Sequence, residues 1–119
     1  MNTLSLYTQN FLRLFYPLLC KACGDEVYST NTPLCWRCLE ELPVTHFETH
    51  PENPVKHIFT GRLKLQHAFS LLYFSKNSIT QAIIHRFKYK GEKALGIYMG
   101  EMMGRAMAMH PHHTAYDAI

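Results

Sequence analysis

The sequence predicts an α+β protein in two parts: a helix joined to a small cysteine-bearing module, then a strand followed by two helices. Three observations carry this reading. Four cysteines fall in two matched pairs inside a turn-rich segment, and a proline-bearing stretch follows them. Beyond residue 66, a short aromatic run then gives way to two segments of helical periodicity.

The chain has 119 residues, the size of one ordinary domain or two small units, and 47% apolar against 18% charged residues excludes wholesale disorder. Twelve Lys and Arg oppose nine Asp and Glu, so the net +3 is a weak attraction for an anionic partner, far from the profile of a dedicated nucleic-acid binder. The apolar start lacks a basic n-region, carries Arg13 within it and has Leu19, not a small residue, before Cys20. No run reaches the ~18 apolar residues that span a bilayer. A cytoplasmic protein is expected, and in that reducing compartment the cysteines read as metal ligands more readily than as disulfides.

Leu4, Tyr7, Phe11, Leu14, Phe15 and Leu18 recur at helical spacing, so a short amphipathic helix is expected from about residue 3 to 16. Asn2 or Thr3 would cap it and Pro17 would end it. Its apolar face is expected to pack on its own domain, with a partner or membrane surface as the alternative. Gly24 to Pro33 reads as turns or a tight hairpin. Pro43, Pro51 and Pro54 interrupt helix and central strand alike and suggest a linker. The resulting division is 1–44, 45–66 and 67–119.

In the third part, Ala68 to Phe74 suits a mostly buried strand. Ser78 and Gly91 bracket a helix at about 78 to 90 that carries Ile79, Ala82, Ile83 and Phe87 on one face. A further helix begins at Glu92 or Lys93 and runs towards Pro111, with Leu95, Tyr98, Met99, Met102, Met103, Ala106 and Met109 as its apolar face. Gly96, Gly100 and Gly104 form a stripe along it, expected to allow close packing against a neighbour. Residues 114–119 look like the opening of another strand, so more chain is expected beyond Ile119.

Cys20-Lys-Ala-Cys23 and Cys35-Trp-Arg-Cys38 each place two thiolates on one side of a tight loop, and two such loops supply the tetrahedral sulfur cage of a structural zinc ion. An iron–sulfur cluster, a redox pair and unrelated buried cysteines compete with that reading. Four protein ligands leave no open position, so the centre is structural and implies no hydrolase. Gly24 fits the turn of a zinc knuckle, while Lys21 and Arg37 are placed to offset the negative thiolates. His46 and His50, and the group His110, His112 and His113, read instead as exposed loop histidines.

Arg86-Phe87-Lys88-Tyr89-Lys90 interleaves basic and aromatic residues, a pattern that can hold phosphates and stack the bases of single-stranded nucleic acid. Arg62 and Lys64 extend the pattern if they lie near it. The competing reading is an ordinary helix C-terminus, with lysines facing the dipole and aromatics facing the core.

Together Leu14-Phe15-Tyr16-Pro17, both cysteine pairs, Glu41-Leu42-Pro43, Asn53-Pro54, Gly61-Arg62, Tyr73-Phe74 and Ile84 through Gly91 resemble the ComF family of bacterial competence proteins. That family joins an N-terminal zinc-binding module to a type I phosphoribosyltransferase-like domain. The resemblance implies a small zinc-ribbon-like module followed by the incomplete N-terminal part, a strand and two helices, of the α/β transferase fold. It implies a role in DNA uptake and natural transformation, with single-stranded DNA and other competence or DNA-processing proteins as partners. The acidic, glycine-containing loop that holds phosphoribosyl pyrophosphate in such enzymes is missing here, so no ribosyl transfer is expected of this chain. A fragment of an active transferase and a zinc-dependent protein adaptor are the alternatives.

Overall fold

The computed structural model describes residues 3–110, with side chains from Tyr7 onward. The expected strand at 114–119, together with His112 and His113, lies outside the described residues. Among the described residues, five α-helices make up most of the regular structure: α1 Thr3–Phe15, α2 Trp36–Glu40, α3 Pro54–Phe59, α4 Ile79–Lys90 and α5 Lys93–Met109, with a 3-10 turn at Phe47–Thr49.

α4 and α5 form where their end signals put them. Ser78 is extended and accepts the Gln81 amide on its side chain, while Gly91 at φ 64 takes the left-handed conformation that stops the helix. Two residues later α5 starts, and it runs 17 residues to Met109. Leu95 and Ala106 are buried and Tyr98, Met99, Met102 and Met103 are half-buried, so the expected face does point inward. Met109 is the exception, at 69% exposed.

The expected strand is corrected. Residues 68–74 bend at Leu71, and among the described residues there is no named strand, only the isolated antiparallel bridges Leu19↔Glu26 and Val44↔Leu72. Thr45 N–H reaches Leu71 O at 3.1 Å and Tyr73 N–H reaches Pro43 O at 2.8 Å, and that short pairing is all the ladder the segment finds. A strand's regular bonds come from neighbours, and this run has one short neighbour. The described residues are thus mostly helical with almost no strand, and the strand plus two helices of a transferase fold is not confirmed among them.

The proline-bearing stretch also holds more structure than a linker. Asn53 caps α3 by accepting the Lys56 amide at 3.1 Å, and Pro54 follows at the first helical position. The Asn53 amide donates to His50 O at 2.9 Å and to Ala68 O at 2.8 Å, which ties the segment to the run at 68–74.

One core organises the chain. Cys20, Leu34, Cys35, Cys38 and Leu42 from the cysteine segment are buried in the same cluster as Ile83 of α4 and Leu95 of α5. No described side chain of α1 belongs to it. Its side chains from Tyr7 to Phe15 are all exposed, Phe11 at 64% and Phe15 at 65%, against the expectation that this face packs on its own domain. The cluster closes on α4 and α5, and no side chain from Tyr7 to Phe15 is buried in it.

The glycine stripe packs at a single position. A Cβ on Gly96 would lie 2.3 Å from a Phe87 ring carbon, whereas one on Gly100 or Gly104 would meet nothing within 4 Å. Gly100→Ala and Gly104→Ala should therefore each raise stability by up to about 1 kcal/mol through helix propensity. Gly96→Ala should gain little or lose, because the Phe87 ring must turn away. Thermal melts of the three variants test this; equal gains at all three would show that the α4–α5 approach is not close.

Candidate metal centre

The first cysteine pair sits on a tight loop built by backbone hydrogen bonds. Val27 N–H donates to Leu18 O at 2.7 Å and Cys20 N–H to Asp25 O at 2.7 Å, so the chain doubles back across Leu19↔Glu26. Gly24, at φ +84, makes the reversal just after Cys23, where a side chain would be strained. Lys21 N–H donates to Pro33 O at 2.8 Å and joins this loop to the approach of the second pair. There Cys35 is the N-cap of α2 and accepts the Cys38 amide on its sulfur at 3.4 Å, so one turn of helix sets the second pair's spacing.

These two loops bring all four sulfurs within 4.8 Å of one another. Cys23 Sγ and Cys35 Sγ are 3.6 Å apart. Cys20, Cys35 and Cys38 are buried and Cys23 is exposed. Amides converge on the sulfurs: Cys35 N–H reaches Cys20 Sγ at 3.2 Å, Ala22 N–H reaches the same atom at 3.4 Å, and Asp25 N–H reaches Cys23 Sγ at 3.5 Å. Donors aimed at sulfur stabilise the thiolate, the form that binds metal.

The thiols do not ionise alike. Burial pushes Cys20 up, but the amides of Cys23, Cys35 and Ala22 outweigh it and bring the thiol down to about 6. Burial pushes Cys38 well up, and its sulfur neighbours Cys35, Cys23 and Cys20 add to that. Cys23 is also raised, by desolvation first and by contact with Cys20 and Cys35. Four negative sulfurs in this space oppose one another, and a cation at their centre reverses the conflict. The donor set thus fits a metal ion, and soft thiolates select soft or borderline metals.

Of the two expected offsetting cations, only Arg37 faces the sulfurs. Its guanidinium, pushed further up by its hydrogen bond to Cys23 and by the charge of Asp25, also pairs with that carboxylate. Lys21 is committed elsewhere, with Nζ 3.2 Å from Glu92 Oε1, and it ties the first loop to the turn between α4 and α5.

The histidines form no second centre: among the described residues the four cysteines are the one group placed to hold a metal. His46 and His50 are exposed, and Nδ1 of His50 lies 3.0 Å from His46 O. His110 corrects the expectation of a loop histidine. It is 4% exposed and its ring stands edge-on to that of His67 at 4.1 Å.

The basic residues are only partly gathered. Arg86 and Lys90 line one groove of about 610 Å³ with Asn77, Gln81, His85 and Ala22. Ala22 lies between the first two cysteines, so the groove borders the cysteine loop. Tyr89 is exposed with its ring 5.0 Å from His85. Lys88 is exposed outside the groove lining, as is Arg62 in the turn after α3.

Fold and site together define a small protein, mostly helical over the described residues, organised around four cysteines placed to hold a metal ion. Compared with family models, curated proteins and solved structures, the chain matches none. Among the described residues no helix is long and apolar enough to cross a membrane.

Because the centre shares its cluster with Ile83 and Leu95, metal loss should loosen α4 and α5 as well as the cysteine loops. Elemental analysis should find one metal ion per chain. Cys20→Ser and Cys38→Ser should lose it and lower the helical circular dichroism signal, since metal binding at such sites contributes on the order of 10 kcal/mol to folding. A metal-free variant with unchanged helicity would separate the centre from the core.

Proposed function

We propose that the bound metal is zinc and that the chain is a ComF-like module that binds single-stranded DNA during DNA uptake, without ribosyl transfer. Zinc with four thiolates at ~2.3 Å in a tetrahedron places the sulfurs about 3.8 Å apart. The 3.6 Å between Cys23 and Cys35 and the 4.8 Å limit over the whole group suit it. Such a centre is closed, which supports a structural role.

The observation that carries the DNA reading is the groove. Arg86 and Lys90 stand one helical turn apart on α4, and no carboxylate lines the groove with them. An acid-free groove with two cations suits a phosphodiester backbone, and exposed Tyr89 offers a ring on which a base can stack. Lys88 and Arg62 would add attraction from outside the groove. The resemblance supplies the setting, with competence or DNA-processing proteins as partners in the cytoplasm.

Labelled single strands titrated at several salt concentrations test this reading. Binding should weaken with salt, and Arg86→Ala with Lys90→Ala should reduce the slope by roughly 1.4, at about 0.7 for each phosphate no longer neutralised. Tyr89→Ala should cost about 1–3 kcal/mol of affinity. Salt-insensitive binding, or none, would remove DNA from the proposal and leave the zinc centre standing.

A further inference from the structure

Of the four cysteines placed to hold the ion, one faces solvent. Cys20, Cys35 and Cys38 are 1, 6 and 1% exposed, so a solute in water cannot touch their sulfurs while the cluster is closed. Cys23, on the outer edge of its loop, is open. The Arg37 guanidinium, itself exposed, hydrogen-bonds Cys23 and sets a fixed positive charge beside it. An accessible thiolate in an electropositive setting is the kind of cysteine that reacts, whereas buried ones are inert. Cys23 also has a partner in the other loop, with Cys35 Sγ 3.6 Å from its own sulfur.

We propose that Cys23 is the vertex at which hydrogen peroxide opens the centre: its sulfur is oxidised, Cys35 closes a disulfide on it, and the ion is released. Bound zinc, as proposed above, is the premise, because zinc has no redox chemistry of its own and the thiolates are then the electron source of the centre. A disulfide of about 2.05 Å asks the two sulfurs to close by about 1.5 Å, a movement that rotation of the exposed Cys23 side chain can supply. The bond crosses from one loop to the other, so the two loops stay joined when the ion has gone. A bond within either Cys-x-x-Cys pair would instead let them part.

The Cys23 thiolate attacks one peroxide oxygen, the O–O bond breaks, and the second oxygen leaves as hydroxide, so Cys23 becomes a sulfenic acid. The Cys35 thiolate then attacks that sulfur and displaces its hydroxyl as a second hydroxide. Two protons from solvent convert both hydroxides to water, and the two electrons that reduce the peroxide come from the two sulfurs. Arg37 stands beside the sulfur from which the hydroxide departs. Zinc keeps only Cys20 and Cys38, half of its tetrahedral set, and is lost. A dithiol reductant breaks the disulfide by exchange and restores all four ligands.

Graded hydrogen peroxide on the zinc-loaded chain tests this, with released zinc read by a colorimetric chelator and the cysteines read by mass spectrometry after trapping with dimedone and alkylation. Dimedone should mark Cys23 first, zinc should appear in step with a Cys23–Cys35 disulfide, and dithiothreitol with added zinc should restore the loaded chain. Cys23→His keeps four ligands of a kind that zinc accepts and removes the oxidisable sulfur from the open vertex, so peroxide should release its zinc about tenfold more slowly or less. The order of labelling in the unaltered chain decides the matter without any variant. First labelling at Cys20, Cys35 or Cys38, a disulfide confined to one loop, or zinc retained after Cys23 is oxidised would each overturn the proposal and leave the zinc reading intact. A chain that carries no zinc would overturn both.

Discussion

Three of the four cysteines lie in the same apolar cluster as Leu34, Leu42, Ile83 and Leu95, so the charge that a bound metal would bring and the dry interior of the fold share one place. Buried thiolates without a cation would repel one another in a low dielectric, and the converging amides relieve only part of that cost. With a metal, the same cluster becomes a rigid hub. The apolar residues of the cysteine segment are too few to hold it by burial alone, and α4 and α5 need the cluster to cover Ile83 and Leu95.

The parts legible in the sequence are those that local chemistry decides. Ser78 and Gly91 mark the ends of α4, and two Cys-x-x-Cys loops must bring their sulfurs to one side. Where local chemistry leaves the outcome open, expectation and structure part. An apolar run at 68–74 looks like a strand whether or not neighbours exist to pair with it, and here Val44 is the single bridge partner. The periodicity of α1 names its apolar face and says nothing of what covers it. Gly96, Gly100 and Gly104 are identical in pattern, yet only Gly96 has a Phe87 ring against it.

A subtler signal sits in the proline-bearing stretch. Asn53-Pro54 is a cap followed by a first-position proline, a helix start hidden among prolines that otherwise suggest a linker. The Lys21–Glu92 pair, 71 residues apart in sequence, has no such signal, and nor does the burial of His110 against His67. Long-range packing places them.

The centre is also asymmetric: three sulfurs are sealed from water while Cys23, on the outer edge of its loop, is open. A competing ligand meets the cage at that one vertex, and a thiolate displaced there moves into solvent, where its charge is cheapest to hold. Were an ion held there, Cys23 would be the ligand open to exchange from solvent, while Cys20, Cys35 and Cys38 would hold it from within the core.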